Sequence, residues 1–238
     1  MLGLAAAIPA VLFVSNYLLY IPYAKWFYEF HTKPGIETAA GFAAGMLGVM
    51  YASAKLRPAR LNPPILAACT LITMGLLVTP FAKQLFFATD YTSLENKWKD
   101  DICIQTSGYT CVPACAATVV KSQGGNLTEP QLARDAGTTK RGTEVWYLIR
   151  ALRRKGFESK LNRTRSIQDA PVQSIVGVSI GRTGHVVVLL SKDKYGVTIA
   201  EPLRGRCHYS WADFKFCYKP DGTYITIKKL DRLKAPSR

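Results

Sequence analysis

The chain has 238 residues, 48% of them hydrophobic, with 31 Lys and Arg against 16 Asp and Glu for a net charge of +15. The two properties are segregated: residues 1–90 hold six basic and three acidic side chains, so residues 91–238 carry +12 of the charge. No nucleic-acid-binding module accompanies that charge, which sets nucleic acid aside as a partner.

The apolar front comes first along the chain. Three stretches, 2–24, 35–54 and 64–82, each reach the roughly 20 residues that cross a bilayer as a helix. The first lacks the basic start of a signal peptide and is followed by two more, so the reading is three transmembrane helices rather than a cleaved leader. Tyr17, Tyr20, Tyr23, Trp26 and Tyr28 crowd the end of the first stretch as an interfacial aromatic belt would. Lys55, Arg57 and Arg60 in the second connection favour a cytoplasmic side for that loop, which puts the following domain outside the cytoplasm. Lys83, Lys97 and Lys99 after the third stretch pull the other way.

Residues 88–101 are polar and read as a linker. A first helix is expected from about Val112 to Ser122, closed by Gly124 and Gly125. Thr128 caps a second, with Gln131 at the capping-box position and Pro130 in the first turn. A third begins near Thr143, places Val145, Leu148, Ile149 and Leu152 on one face, and ends at Gly156. Strand-like segments follow near 172–180, 184–191, 195–200, 206–218 and 223–229. A helical half followed by an antiparallel sheet is an α+β arrangement.

Chemistry concentrates in QTSGYTCVPAC at 105–115. Gln105 stands six residues before Cys111, which opens the first helix. A glutamine there can donate its amide to an oxyanion, and a helix beginning at the cysteine aims free N–H groups and a positive dipole end at a thiolate. Of the three histidines, His31 lies between predicted spans, leaving His185 and His208 as bases. His185 follows Gly184 on an apolar strand, whereas His208 follows Cys207 in a polar, aromatic stretch. Cys103, Cys111, Cys115, Cys207 and Cys217 contain no C-x-x-C pair, so a closed zinc site is not expected, nor any other cofactor. Cys207 and Cys217 flank an expected hairpin and are a candidate disulfide in an oxidising compartment.

These residues resemble the bacteriocin-processing, double-glycine peptidase family, a papain-like domain of many bacterial peptide exporters whose nucleophile motif runs Q-x5-C-G-P-A-C. Gln105, Cys111, Pro113, Ala114 and Cys115 match it, and GHVVVLL at 184–190 and VTIAEP at 197–202 resemble the family's histidine and acid strands. The resemblance covers about residues 102–230. It departs at Val112, where the family has glycine, and at Glu201, where it generally has aspartate. It implies a papain-like cysteine peptidase domain at 102–230; the apolar stretches put a bundle of transmembrane helices at 1–87 before it, and a basic tail at 231–238 follows. Cys111 would be the nucleophile, His185 its base, Glu201 the group orienting the imidazole, and Gln105 the oxyanion donor. Asp193 and Asp213 are the alternatives to Glu201. The implied partners are a peptide or protein substrate, such as a leader peptide cut after Gly-Gly, the lipid bilayer of a bacterial inner membrane, and a peptide transporter. No G-x-x-x-x-G-K-[ST] run occurs in these 238 residues. Two other classes stay open: a catalytically silent peptidase-like domain that binds a peptide, and an acyltransferase or amidase using the same cysteine.

Overall fold

In the computed structural model, residues 83–230 are described, together with Glu29, 31–33 and Gly35. The three predicted membrane spans, Gly35 apart, and the basic tail lie outside the described residues. Among the described residues, no helix is long and apolar enough to cross a membrane.

Local signals set the helical half. Helix α1 (Cys111–Ser122) is buried from Val112 to Val120, which makes it the central helix of the domain. It stops where Gly124 takes φ +68°, a conformation that costs glycine little. Helix α2 (Glu129–Asp135) opens on a reciprocal capping box. Thr128 Oγ1 accepts from the Gln131 N–H at 3.3 Å, and the Gln131 side chain accepts from the Thr128 N–H at 3.2 Å. Helix α3 (Val145–Arg154) buries Trp146, Leu148, Ile149, Ala151 and Leu152, the face its periodicity specifies.

A two-stranded hairpin, β1 (Lys97–Lys99) with β2 (Ile102–Ile104), precedes α1. After α3 the chain forms β3 (Phe157–Arg163), β4 (Ser174–Ile180), β5 (Thr183–Lys192), β6 (Gly196–Glu201), β7 (Gly205–Ser210), helix α4 (Trp211–Tyr218) and β8 (Pro220–Lys229). These six strands make one sheet in the order β3-β8-β4-β5-β6-β7, antiparallel at every pairing. Side chains alternate between its two faces, as the period of a strand requires. Ile175, Val188, Ala200, Ile225 and Ile227 join the core under α1, α2 and α3. Val176, Val187, Leu189, Val197 and Ile199 join a second core with Trp211, Phe214 and Tyr218 of α4. A helical half beside an antiparallel sheet is the α+β papain-like arrangement.

Two segments differ from the sequence-based expectation. Residues 206–218 are not one strand: β7 ends at Ser210, whose hydroxyl accepts from the Asp213 N–H at 3.1 Å and caps α4. Trp211, Phe214 and Tyr218 then fall on one helical face and fill the second core. Cys207 and Cys217 therefore flank a strand-to-helix junction, and both are free thiols. The strand β3 was not anticipated, because FESKLNR shows strong polarity; it pairs with β8 throughout Phe157–Arg163 and buries Phe157 and Ser159.

Candidate active site

Strand β2 leads directly to Gln105, whose backbone N–H donates to Pro202 O at 2.8 Å. That bond joins the segment before α1 to the turn after β6. The Gln105 side-chain amide donates to Ser107 O at 2.6 Å, while its Oε1 is buried and makes no hydrogen bond. The loop then closes on itself: the Ser107 N–H donates to Thr110 Oγ1 at 3.1 Å, and the Thr110 hydroxyl donates to Ser107 O at 3.0 Å. Thr110 is the N-cap of α1 but gives it no side-chain cap. The helix thus begins at Cys111 with first-turn N–H groups untaken by a capping side chain, beside a half-buried thiol.

Val112, at the family's glycine position, turns its side chain into the core under the sheet. Cys115, one turn on, is buried and donates its thiol to Val186 O at 3.5 Å. Burial, with Cys111, Glu201 and Cys103 nearby, pushes its thiol far toward the protonated form.

The other wall comes from β5 and β6. Their register pairs Val188 with Ala200, so His185 and Glu201 have the same parity and sit diagonally across the ladder. His185 Nε2–H donates to Glu201 Oε1 at 2.8 Å, with both side chains nearly out of water. Burial by itself lowers the proton affinity of this imidazole. Hydrogen bonding and negative charge at the Cys111 sulfur and the Glu201 carboxylate outweigh it and raise the His185 pKa to about 9. With Nε2 engaged by Glu201, Nδ1 is the ring nitrogen that remains for the thiol.

Glu201 is held on several sides. Burial pushes its carboxyl up, but the bond from His185, the imidazolium charge, the Leu203 N–H at 3.1 Å and the Tyr218 hydroxyl bring it below the usual value. The Leu203 contact depends on the tight turn from β6 to β7, where Arg204 N–H donates to Glu201 O at 3.0 Å and Gly205 takes φ +94°. Tyr218 reaches Glu201 from α4, with its hydroxyl 3.4 Å from that of Tyr209.

The structure therefore brings Gln105, Cys111, His185 and Glu201 into one constellation. The alternatives have structural duties elsewhere. His208 Nδ1 lies 3.1 Å from Thr198 Oγ1 across the β6–β7 ladder. Asp193 accepts from the Tyr195 and Gly196 N–H groups at a turn, and Asp213 accepts from the Ser210 hydroxyl at the start of α4. Sequence reasoning missed Tyr218 because its segment reads as a strand. It also passed over the loop anchors Ser107 and Thr110, for which the one available signal was the small polar composition of TSGYT.

Comparison with known proteins identifies the family. The family model described as Peptidase C39 matches residues 99–231, more than half of the chain. An uncharacterized protein of Methanothermobacter thermautotrophicus (strain Delta H) is 39% identical over 105 residues, spanning 44% of this chain and 73% of its own. A second, from Methanothermobacter marburgensis (strain Marburg), is 39% identical over 108 residues, or 45% and 75% of the two chains. Among solved structures, the peptidase domain of Streptococcus ComA, a bifunctional ABC transporter of a quorum-sensing pathway, is 23% identical with a TM-score of 0.48, covering 53% of this chain and 96% of that one. A double-glycine-motif protease from an AMS/PCAT transporter, solved with a leader peptide, is 20% identical with a TM-score of 0.47, covering 54% and 90%. From Lys99 to the end of its last strand, this chain belongs to the Peptidase C39 family and is a cysteine-type peptidase.

Proposed function

We propose that the chain is a membrane-anchored cysteine peptidase in which Cys111, His185, Glu201 and Gln105 carry the reaction. The observation that supports these roles most strongly is the imidazole of His185, bonded through Nε2 to Glu201 at 2.8 Å, which leaves Nδ1 for the Cys111 thiol. The Cys111 sulfur attacks the scissile carbonyl carbon, its proton having passed to His185. The resulting oxyanion is met by the Gln105 amide and the Cys111 backbone N–H. His185 returns the proton to the leaving amine as the C–N bond breaks, leaving a thioester on Cys111. Water, deprotonated by His185, attacks that thioester and frees the acid. Throughout, Glu201 holds the imidazole in one orientation and stabilises its cation.

The substrate that family membership favours is a leader peptide cut after Gly-Gly. Gly184, next to the base, faces open space where a side chain would otherwise stand, which leaves that approach unobstructed. Membrane attachment rests on the three apolar stretches at 2–24, 35–54 and 64–82, and a partner transporter on the family alone. The extracytoplasmic orientation rests on Lys55, Arg57 and Arg60 in the second connection. Labelling of the exposed Cys217 in intact cells with an impermeant maleimide tests it, since a cytoplasmic domain stays unlabelled.

Cys111→Ala is the direct test of mechanism. The variant is expected to stay folded and to lose all hydrolysis of a Gly-Gly leader peptide. Cleavage by a clean preparation of it would remove Cys111 as the nucleophile.

A further inference from the structure

Glu129, the first residue of α2, is completely buried, yet none of the proposed chemistry uses it. Burying a carboxylate is costly unless its oxygens are well supplied with donors. Its donors are found in the loop between Gln105 and Cys111. The Thr106 N–H donates to Oε1 at 2.9 Å and the Thr106 hydroxyl to Oε2 at 3.2 Å. The Thr110 hydroxyl, whose proton goes to Ser107 O, lies against the same carboxylate, and the Cys103 thiol lies 4.0 Å from Oε2. Burial raises the carboxyl's proton affinity, and these bonds, with the charge of Lys97, pull it only part of the way back. Lys97 itself pairs with Glu95 at 2.8 Å.

Thr106 and Thr110 bracket Ser107, whose carbonyl receives the Gln105 amide at 2.6 Å. Thr110 is also the residue from which α1 springs. The carboxylate therefore holds the start of the loop through Thr106, the residue after the proposed donor Gln105, and abuts its far end at Thr110. We propose that Glu129 is a positioning residue for peptide hydrolysis: by holding Thr106 and backing the loop that runs on to Thr110, it aims the Gln105 amide and the Cys111 N–H at the oxyanion. This rests on the reading of those two groups as the oxyanion donors. A carboxylate suits the task because both of its oxygens accept, whereas an amide turns an N–H₂ group toward the threonine hydroxyls and the Cys103 thiol.

Full-length protein in detergent supplies the test, with a Gly-Gly leader peptide as substrate and a peptide aldehyde ending in Gly-glycinal as the probe that forms a tetrahedral adduct on Cys111. Glu129→Gln is expected to lower kcat and weaken aldehyde binding in parallel, each by about 10- to 100-fold, with KM within about twofold. Alkylation of Cys111 by iodoacetamide needs no oxyanion donor, so its rate should hold within about twofold. The melting temperature should not fall, because the variant removes a buried charge. Unchanged kcat and aldehyde affinity would overturn the proposal. So would a loss in which alkylation and melting temperature drop together, since that is what a purely structural role produces. Should Glu129→Gln not accumulate in folded form, Glu129→Asp draws the carboxylate back from Thr106 and is expected to give the same pattern, and normal turnover in it is equally fatal. Gln105→Ala separates the two levels. Unaltered aldehyde affinity there strikes the oxyanion reading, whereas weakened affinity in Gln105→Ala beside normal affinity in Glu129→Gln strikes Glu129 alone. A wild type that does not bind the aldehyde overturns both.

Discussion

Each wall of the site buries a glutamate, and the two are driven in opposite directions. Glu129, behind the loop that leads to Cys111, is pushed toward its neutral form, while Glu201, behind His185, is pulled toward its charged one. Burial is the largest influence on both and acts in the same sense on each. Both also accept hydrogen bonds from backbone and hydroxyl groups. What separates them is a cationic partner in contact: Glu201 has the imidazole at 2.8 Å, and Glu129 has a hydroxyl, an N–H and a thiol. Hydrogen bonds make a buried carboxylate tolerable; a facing cation makes ionisation favourable.

A thiol lies beside each wall, which gives the contrast its largest readout. Burial and the neighbouring Glu129 push the Cys103 thiol up to about 12. Cys111 instead faces a cationic imidazole at a helix start. Iodoacetamide at neutral pH should therefore modify Cys111 at least about a thousandfold faster than Cys103 or Cys115 in the folded protein. Equal labelling, followed by mass spectrometry of peptides, would erase the distinction.

Removing the cation's counter-charge comes next. Glu201→Gln keeps the shape and is expected to lower kcat by about 100-fold or more with little change in KM. Glu201→Asp shortens the reach across a diagonal pair and should cost about tenfold, again in kcat. If neither changes turnover, Glu201 is a bystander.

The pH dependence sharpens the same point. His185 takes up its proton more tightly in the folded chain, about 9 against an ordinary 6.5. Turnover that needs the imidazolium should fall on the alkaline side with a midpoint near about 9, and Glu201→Gln should move that midpoint toward 6.5. The linked stability has the same sign: it is fully present below 6.5 and is lost as pH rises through about 9. An alkaline limb unmoved by Glu201→Gln would leave Cys111 as the source of the shift.

The smallest effect belongs to Tyr218. Tyr218→Phe removes one donor from Glu201 and should cost a few-fold in kcat and about 1 kcal/mol in stability, measured by urea denaturation. An unchanged kcat would show that His185 and Leu203 hold the carboxylate without it.

Much of this was readable from the chain because the signals are local. The Thr128 capping box, the glycine stop after α1 and the period-two strands each involve neighbours a few residues apart. The spacing of Gln105 and Cys111, with the family resemblance of the Gly-His and Glu-Pro strands, put forward the four side chains proposed for the site. What escaped depended on distant partners. WADFKFCY alternates well enough to pass as a strand, and only the Ser210 cap and the packing of Trp211, Phe214 and Tyr218 make it a helix. Glu129 drew no notice in the sequence, since nothing near it along the chain reveals that Thr106 will fold over it.

The two walls are also tied to one another, by the Gln105 N–H on Pro202 O. Because that tie runs from main chain to main chain, a scan of side-chain substitutions passes over it, and sequence drift at either position leaves it standing. Its weight becomes visible only by editing the polypeptide itself, with an ester in place of the amide at Gln105. The alignment of the proposed oxyanion donor with the acid is, to that extent, a property the backbone keeps while the side chains around it change.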